Sequence, residues 1–446
     1  MRANLSLLGV AFIATTLSAA SVHAQGWLAD RSRAEGSGIR LGNFELHPGV
    51  GAEGGYDSNV FLSENPQDSP VLRIAPHLYL QTLGAERSGD AGPPPVEFKA
   101  GVSGSLKHYF ETQAGTNIGA GQDAKLTLRP GAIVTFELSE EFKRNIDPFT
   151  DPGVQIPDTV PDPDDPPVEE TPADSDLSFA RDQLSLGARA QLGTPGGVFK
   201  AGLGYKFAID HFEADEFAAN RANSHTVSGD TSWEFFPKTA LFWDGSVTRN
   251  NFINSTDELS LDEMAMEPSL RNDSTTTKTR LGLNGGLTAR VGFTLAGGYG
   301  AGFFDAGDGF EAVLAQAEIR WRPEETILWS FGYDRETTSS YQGNFVRMDR
   351  IKTGTQLMLG GIVVIQGRVE LAFLNFGVDP ELGERDDMQF LATLSGEYRL
   401  VDWFAITAEA NYWQNFTDFV YVNELGEEDA AKYKRFEGWL GVRAFL

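Results

Sequence analysis

The sequence predicts an all-β protein: a transmembrane antiparallel up-and-down β-barrel of about eighteen strands, with short periplasmic turns and long acidic outer loops. Three observations carry that prediction. Apolar residues recur at period two along segments long enough to cross a bilayer as tilted strands. The connections between segments alternate between tight and long. The final segment, Arg435 to Leu446, places Phe436, Gly438, Leu440, Val442, Ala444 and Leu446 on one oily face and stops there. Soluble proteins seldom end on the last apolar residue of a strand, whereas a closed barrel needs its last strand to meet its first.

Composition bounds the function. The 446 residues carry a net charge of -27, 49 glycines, 11% aromatic residues and no cysteine. Such acidity argues against a nucleic-acid partner, which calls for a basic surface. The absence of cysteine fits export to an oxidising compartment and removes thiolate metal sites.

Residues 1–24 read as a secretory signal: Arg2 gives the basic start, Leu7 to Ala20 the apolar run, and Val22-His23-Ala24 a small-residue cleavage site. Residues 25–43 form a polar periplasmic lead. The barrel is expected over 44–446, its first strand over 44–61. After Gln25 no stretch reaches the ~18 apolar residues of a membrane helix.

Loop lengths sort by parity. The turns at Arg129-Pro130-Gly131, Phe236-Pro237-Lys238, Gly360-Gly361 and Val401-Asp402 are tight, and the connection through Gly84 to Pro95 is the exception. The opposite connections are long and acidic: 146–178, proline-rich and without lysine or arginine, then 254–273, 377–387 and 420–431. The faces alternate within segments. Phe199, Ala201, Leu203, Tyr205 and Phe207 oppose Lys200, Gly202, Gly204 and Lys206. Trp233, Trp321, Trp403, Tyr205, Tyr333, Tyr398 and Tyr412 fall near segment ends, as aromatic girdles do.

The polar face supplies the candidate lumen. Its basic set is Lys99, Lys107, Lys125, Arg129, Arg189, Lys200, Lys206, Lys278, Arg280, Arg320, Arg322, Arg350, Lys352, Arg368, Arg399 and Arg443. Its acidic set is Glu97, Asp123, Glu137, Asp210, Asp230, Asp244, Glu318, Glu370, Glu397 and Glu409, so the wall is expected to lean basic. Two roles follow: cross-strand ion ladders that hold the hollow shape, or a cationic lining for an anionic solute or polymer. A basic wall behind an acidic mouth suits outward passage. Asp210-His211 is a lone dipeptide without a partner constellation. No paired-carboxylate motif, metal-ligand spacing or phosphate loop occurs, so neither enzyme activity nor a cofactor or metal is expected.

The final segment resembles the assembly signal of outer-membrane barrels, with its aromatic, Phe445, one place before the end. The motif Gly55-Tyr56-Asp57-Ser58-Asn59, followed by Val60-Phe61 and then Ile74-Ala75-Pro76, resembles the start of β-barrel porin families of Gram-negative bacteria, some associated with exopolysaccharide secretion. The resemblance implies an outer-membrane channel that passes a polymer, with a diffusion porin or an adhesion barrel as alternatives. It also implies partners: outer-membrane lipid and lipopolysaccharide, the barrel-assembly machinery, and a periplasmic polysaccharide-export component. Asp57 and Asn59 are equally explained as an Asx-stabilised strand end.

Overall fold

The computed structural model describes residues 38–83, 94–112, 114–145, 180–194, 197–213, 221–252, 273–305, 307, 309–340, 344–377, 385–422 and 428–446. The signal, most of the lead and the loop 146–178 lie outside these residues.

Alternation at period two makes strands, and polar or glycine-bearing breaks end them. A short strand β1 (Ile39–Leu41) precedes β2 (Phe44–Asp57), β3 (Ser69–Thr82), β4 (Val96–Tyr109), β5 (Thr116–Leu128) and β6 (Val134–Asn145). Then come β7 (Arg181–Leu192), β8 (Phe199–Phe212), β9 (Ala222–Phe236), β10 (Thr239–Phe252), β11 (Ser274–Gly286) and β12 (Val291–Phe304). The chain continues through β13 (Phe310–Glu324), β14 (Ile327–Ser339), β15 (Phe345–Leu359), β16 (Val363–Gly377), β17 (Arg385–Val401) and β18 (Phe404–Phe416). A small hairpin, β19 (Val420–Val422) with β20 (Glu428–Ala430), leads into β21 (Tyr433–Phe445).

Each long strand pairs antiparallel with its neighbours in sequence, and β21 pairs with β2 from Gly49↔Phe445 to Asp57↔Glu437. That pairing closes an eighteen-stranded barrel, β2 to β18 plus β21, with β1 as one extra strand. No helix occurs among the described residues.

One expectation shifts, and the lead gains detail. The first strand stops at Asp57 rather than Phe61, because Asp57 Oδ1 accepts the Asn59 amide at 3.0 Å and turns the chain. The lead is not wholly unpaired. Ile39 to Leu41 pairs with Leu46 to Phe44, along the stretch of β2 that β21 does not reach. There the Leu446 amide donates to the Pro48 carbonyl at 3.0 Å, so the closing edge leaves no open ladder.

Side chains alternate as their register demands. Leu203, Val313 and Leu440 are 63%, 64% and 65% exposed, while the adjacent residue along the strand turns the other way: Trp439, beside Leu440, is only 4% exposed. Large apolar residues therefore cover the outside of the wall. Irregularities in register sit beside the tight turns, at Thr239/Ala240, Trp321/Glu324 and Arg399/Val401.

Candidate functional site: the barrel interior

Contacts that skip strands identify the concave face. Strands lie about 4.8 Å apart, so Arg280 on β11 and Glu336 on β14 start roughly three spacings from each other. Their charged groups nevertheless approach to 3.7 Å. Arg73 on β3 reaches Glu409 on β18 at 3.6 Å, across β2 and β21, and Thr407 Oγ1 donates to Glu53 Oε1 at 2.9 Å across β21. Only inward side chains converge in this way.

The candidate lumen residues share that parity, and most form ion ladders. Arg129 binds Glu97 at 2.9 Å with Lys99 at 3.6 Å from the same carboxylate, and Lys125 lies 3.9 Å from Glu137. Arg189 meets Asp230 at 2.6 Å and Arg280 meets Asp244 at 2.9 Å. Arg320 pairs with Glu318. Asp334 holds both Arg350 at 2.7 Å and Lys352 at 3.1 Å. Arg368 binds Glu370 at 2.6 Å, and Glu397 is shared by Arg399 at 2.8 Å and Arg443 at 3.4 Å. Lys107 stands 4.0 Å from Glu437. Register places Lys200 opposite Ser232, Lys206 opposite Thr226, Lys278 opposite Gly300 and Asp123 opposite Gly101. Arg322 sits at the β13 turn.

The inward set is larger in both signs than the polar-face pattern predicts, with Arg73, Arg181, Arg385 and Arg435 joining the cations. Glu53, Asp57, Asp334, Glu336, Asp387 and Glu437 all pair with inward cations. Strand parity marks them: Glu437 is two residues from Trp439 and Asp334 two from Gly332, on the same side of the pleat. Most of the wall's charges are paired locally. Asp210 and His211 separate onto opposite faces: Asp210 pairs inward with Arg181, so the dipeptide forms no dyad. No group of three or more potential ligands able to hold a metal occurs among the described residues.

The loop end of the interior is different. The Gly55–Asn59 motif forms a latch across the closing seam. Arg435 on β21 donates Nε to Asp57 Oδ1 at 3.0 Å and Nη2 to Asp57 Oδ2 at 2.5 Å, and also binds Glu437 at 2.7 Å. Both Arg435 and Asp57 side chains are essentially buried, at 1% and 0% exposure. Asn59 Nδ2 donates to the Ser63 and Lys434 carbonyls, at 2.8 and 3.0 Å, while its Oδ1 accepts the Ser63 amide. Ser58 Oγ accepts the Phe436 amide at 2.7 Å, and Tyr56, on the outward face, donates to Asp68 at 2.9 Å. Gly55 leaves room for Trp439: a Cβ there would meet the indole at 2.6 Å.

Fastened this way, the loop 58–68 turns into the barrel. Val60 is fully buried with Val71, Tyr109 and Trp439, and Leu62 packs on Leu391, Trp413 and Tyr433. Leu62 has φ 46°, a conformation that a bulky residue adopts only when its surroundings impose it. A second buried pair, Arg385–Asp387 at 2.6 Å, lies under Phe376 and Phe419. Beside it Val346, Met348, Ala372 and Leu374 form a buried inward cluster. The interior is thus packed along β15–β18 and β21. Across from it, inward Ser103, Ser139 and Lys206 on β4, β6 and β8 remain open.

No protein-family model matches the chain, and no curated protein matches it in sequence. Among solved structures the chain is similar to the outer membrane protein opdK from Pseudomonas aeruginosa (8% identity over 90% of this chain and 99% of that one, TM-score 0.46). It is also similar to OccAB4 from Acinetobacter baumannii (11%, 90% and 98%, 0.45) and to the FrpB iron transporter from Neisseria meningitidis, F3-3 variant (10%, 92% and 82%, 0.45).

Proposed function

We propose that this chain is an outer-membrane channel of a Gram-negative bacterium, passing polar solutes through the open side of the barrel. One observation carries the reading: a closed barrel wears its large apolar side chains outside and its ion ladders inside. That is the inverse of a water-soluble sandwich and fits a wall bounded by lipid without and water within. The ladders keep the hollow shape and present both signs of charge. The latched loop narrows the loop end, and solute passes along β4–β10, where serine, threonine and glycine alternate with charges. Lipopolysaccharide surrounds the loop end, and the barrel-assembly machinery inserts the chain.

The test is conductance. Protein refolded into liposomes is expected to give discrete ohmic channels with weak ion selectivity, because most inward charges are paired. Sealed vesicles would overturn the channel; strong anion preference would overturn the paired lining. A second reading, export of a polymer such as an exopolysaccharide together with a periplasmic component, is favoured by the hydroxyl- and glycine-rich side, which offers polyols hydrogen bonds. Deletion that leaves secreted polysaccharide unchanged would discard it.

A further inference from the structure

The outward wall of β4–β7 carries a polar pair in mid-strand, where its other polar outward residues, His108, Thr116, Arg144 and Asp182, lie at the loop end. Gln122 Nε2 donates to Glu140 Oε2 at 3.2 Å between β5 and β6. Register sets Gln122 beside Val102 and Glu140 beside Leu186, outward residues that are 49% and 44% exposed. Along the same strands Ile118 and Leu138, 61% and 51% exposed, flank the pair on its two sides. Glu140 therefore sits inside the apolar belt. The outward acid Asp349 contrasts with it: Arg335 binds Asp349 through two bonds, at 2.6 and 2.8 Å, and Tyr333 donates a third.

A carboxyl group turned to hydrocarbon with a single amide partner is unfavourable, and such groups in membrane proteins mark contacts with protein or water. The wall around it also carries small residues. Ala100, Gly104, Ala120, Ala124, Ala188 and Ala190 share the outward face, and small residues let two walls approach closely. We propose that this face binds a second copy of the chain in the membrane. The pair is self-complementary. In a two-fold arrangement each Gln122 amide, which has two N–H donors, reaches the partner's Glu140 while keeping its own, so both carboxylates gain a second charge-assisted bond. A lipid chain offers neither donor nor acceptor.

The proposal rests on the reading that lipid touches the outer belt, and the experiment separates the two. The chain contains no cysteine, so a single introduced thiol can be bridged only by another copy. Full-length Ala124→Cys, reconstituted in lipid vesicles and oxidised, is expected to give mostly a cross-linked dimer, whereas Leu295→Cys on the far wall gives none. In detergent sedimentation, wild type is expected to dimerise and Glu140→Leu with Gln122→Leu to dissociate about tenfold more readily. Glu140→Gln keeps the hydrogen bonding and is expected to keep the dimer. Conducting vesicles that hold monomers, or equal cross-linking from both thiols, would overturn the dimer alone. Failure to insert would overturn the lipid-belt reading instead.

Discussion

Arg435 binds two carboxylates in a space closed to water, and that arrangement has a definite energetic signature. Its bonds to Asp57 bridge residues 378 positions apart, so it ties the first strand to the last. A buried pair gains little over an apolar replacement of both partners, but removing one partner strands the other charge. Arg435→Met strips Asp57 of the guanidinium that neutralises it and leaves Glu437 with Lys107 at 4.0 Å. It is expected to destabilise the barrel by about 3–5 kcal/mol, read from equilibrium urea unfolding in lipid vesicles. The comparison is Lys143, 2.6 Å from Glu141 but with both side chains well exposed. Lys143→Met is expected to cost under about 1 kcal/mol, because water screens that pair and competes with it. Equal effects would mean that the seam cluster is solvated and does not act as a latch.

The loop 58–68 shows what one short element does once its ends are pinned. Asn59 satisfies three backbone groups, and Leu62 is held at a positive φ among inward aromatics. Removing the amide of Asn59 leaves buried carbonyls without partners, a loss of about 1–3 kcal/mol. Every 1.4 kcal/mol shifts a two-state loop about tenfold toward its released position. Asn59→Ala is therefore expected to raise single-channel conductance or to add a second, larger conductance level. An unchanged conductance would show that the loop does not limit the path. This element was only half legible in the sequence. Asp57 and Asn59 announce a turn through local chemistry, and the turn is there. Nothing local announces that the next residues point inward, because the partners Lys434, Arg435 and Trp413 are chosen by barrel closure and lie hundreds of residues away.

The wall, by contrast, was readable because each strand encodes its own two faces. Phe199 to Ile209 alternates as it must whether or not the rest of the chain is known, and the tight and long connections repeat that message from loop to loop. The pairing of charges was not readable. Asp334 and Glu336 belong to the lumen only because β14 lies beside β15 at one register, and a slip of one residue would turn them outward. Period alone cannot say which face meets lipid, so that question is put to the assembled barrel. Leu203 lies on the outward face of β8 and is 63% exposed; Ser139 lies on the inward face of β6 and is also exposed. A lysine in mid-bilayer costs about 2–4 kcal/mol, while a lysine in a watery lumen beside Glu137 and Glu141 stays within about 0.5 kcal/mol of neutral. Leu203→Lys is thus expected to lower unfolding free energy in vesicles by the larger amount, with Ser139→Lys nearly silent but shifting ion selectivity toward anions. If both substitutions were silent, water would bathe both faces, and a barrel standing in solution would replace the channel.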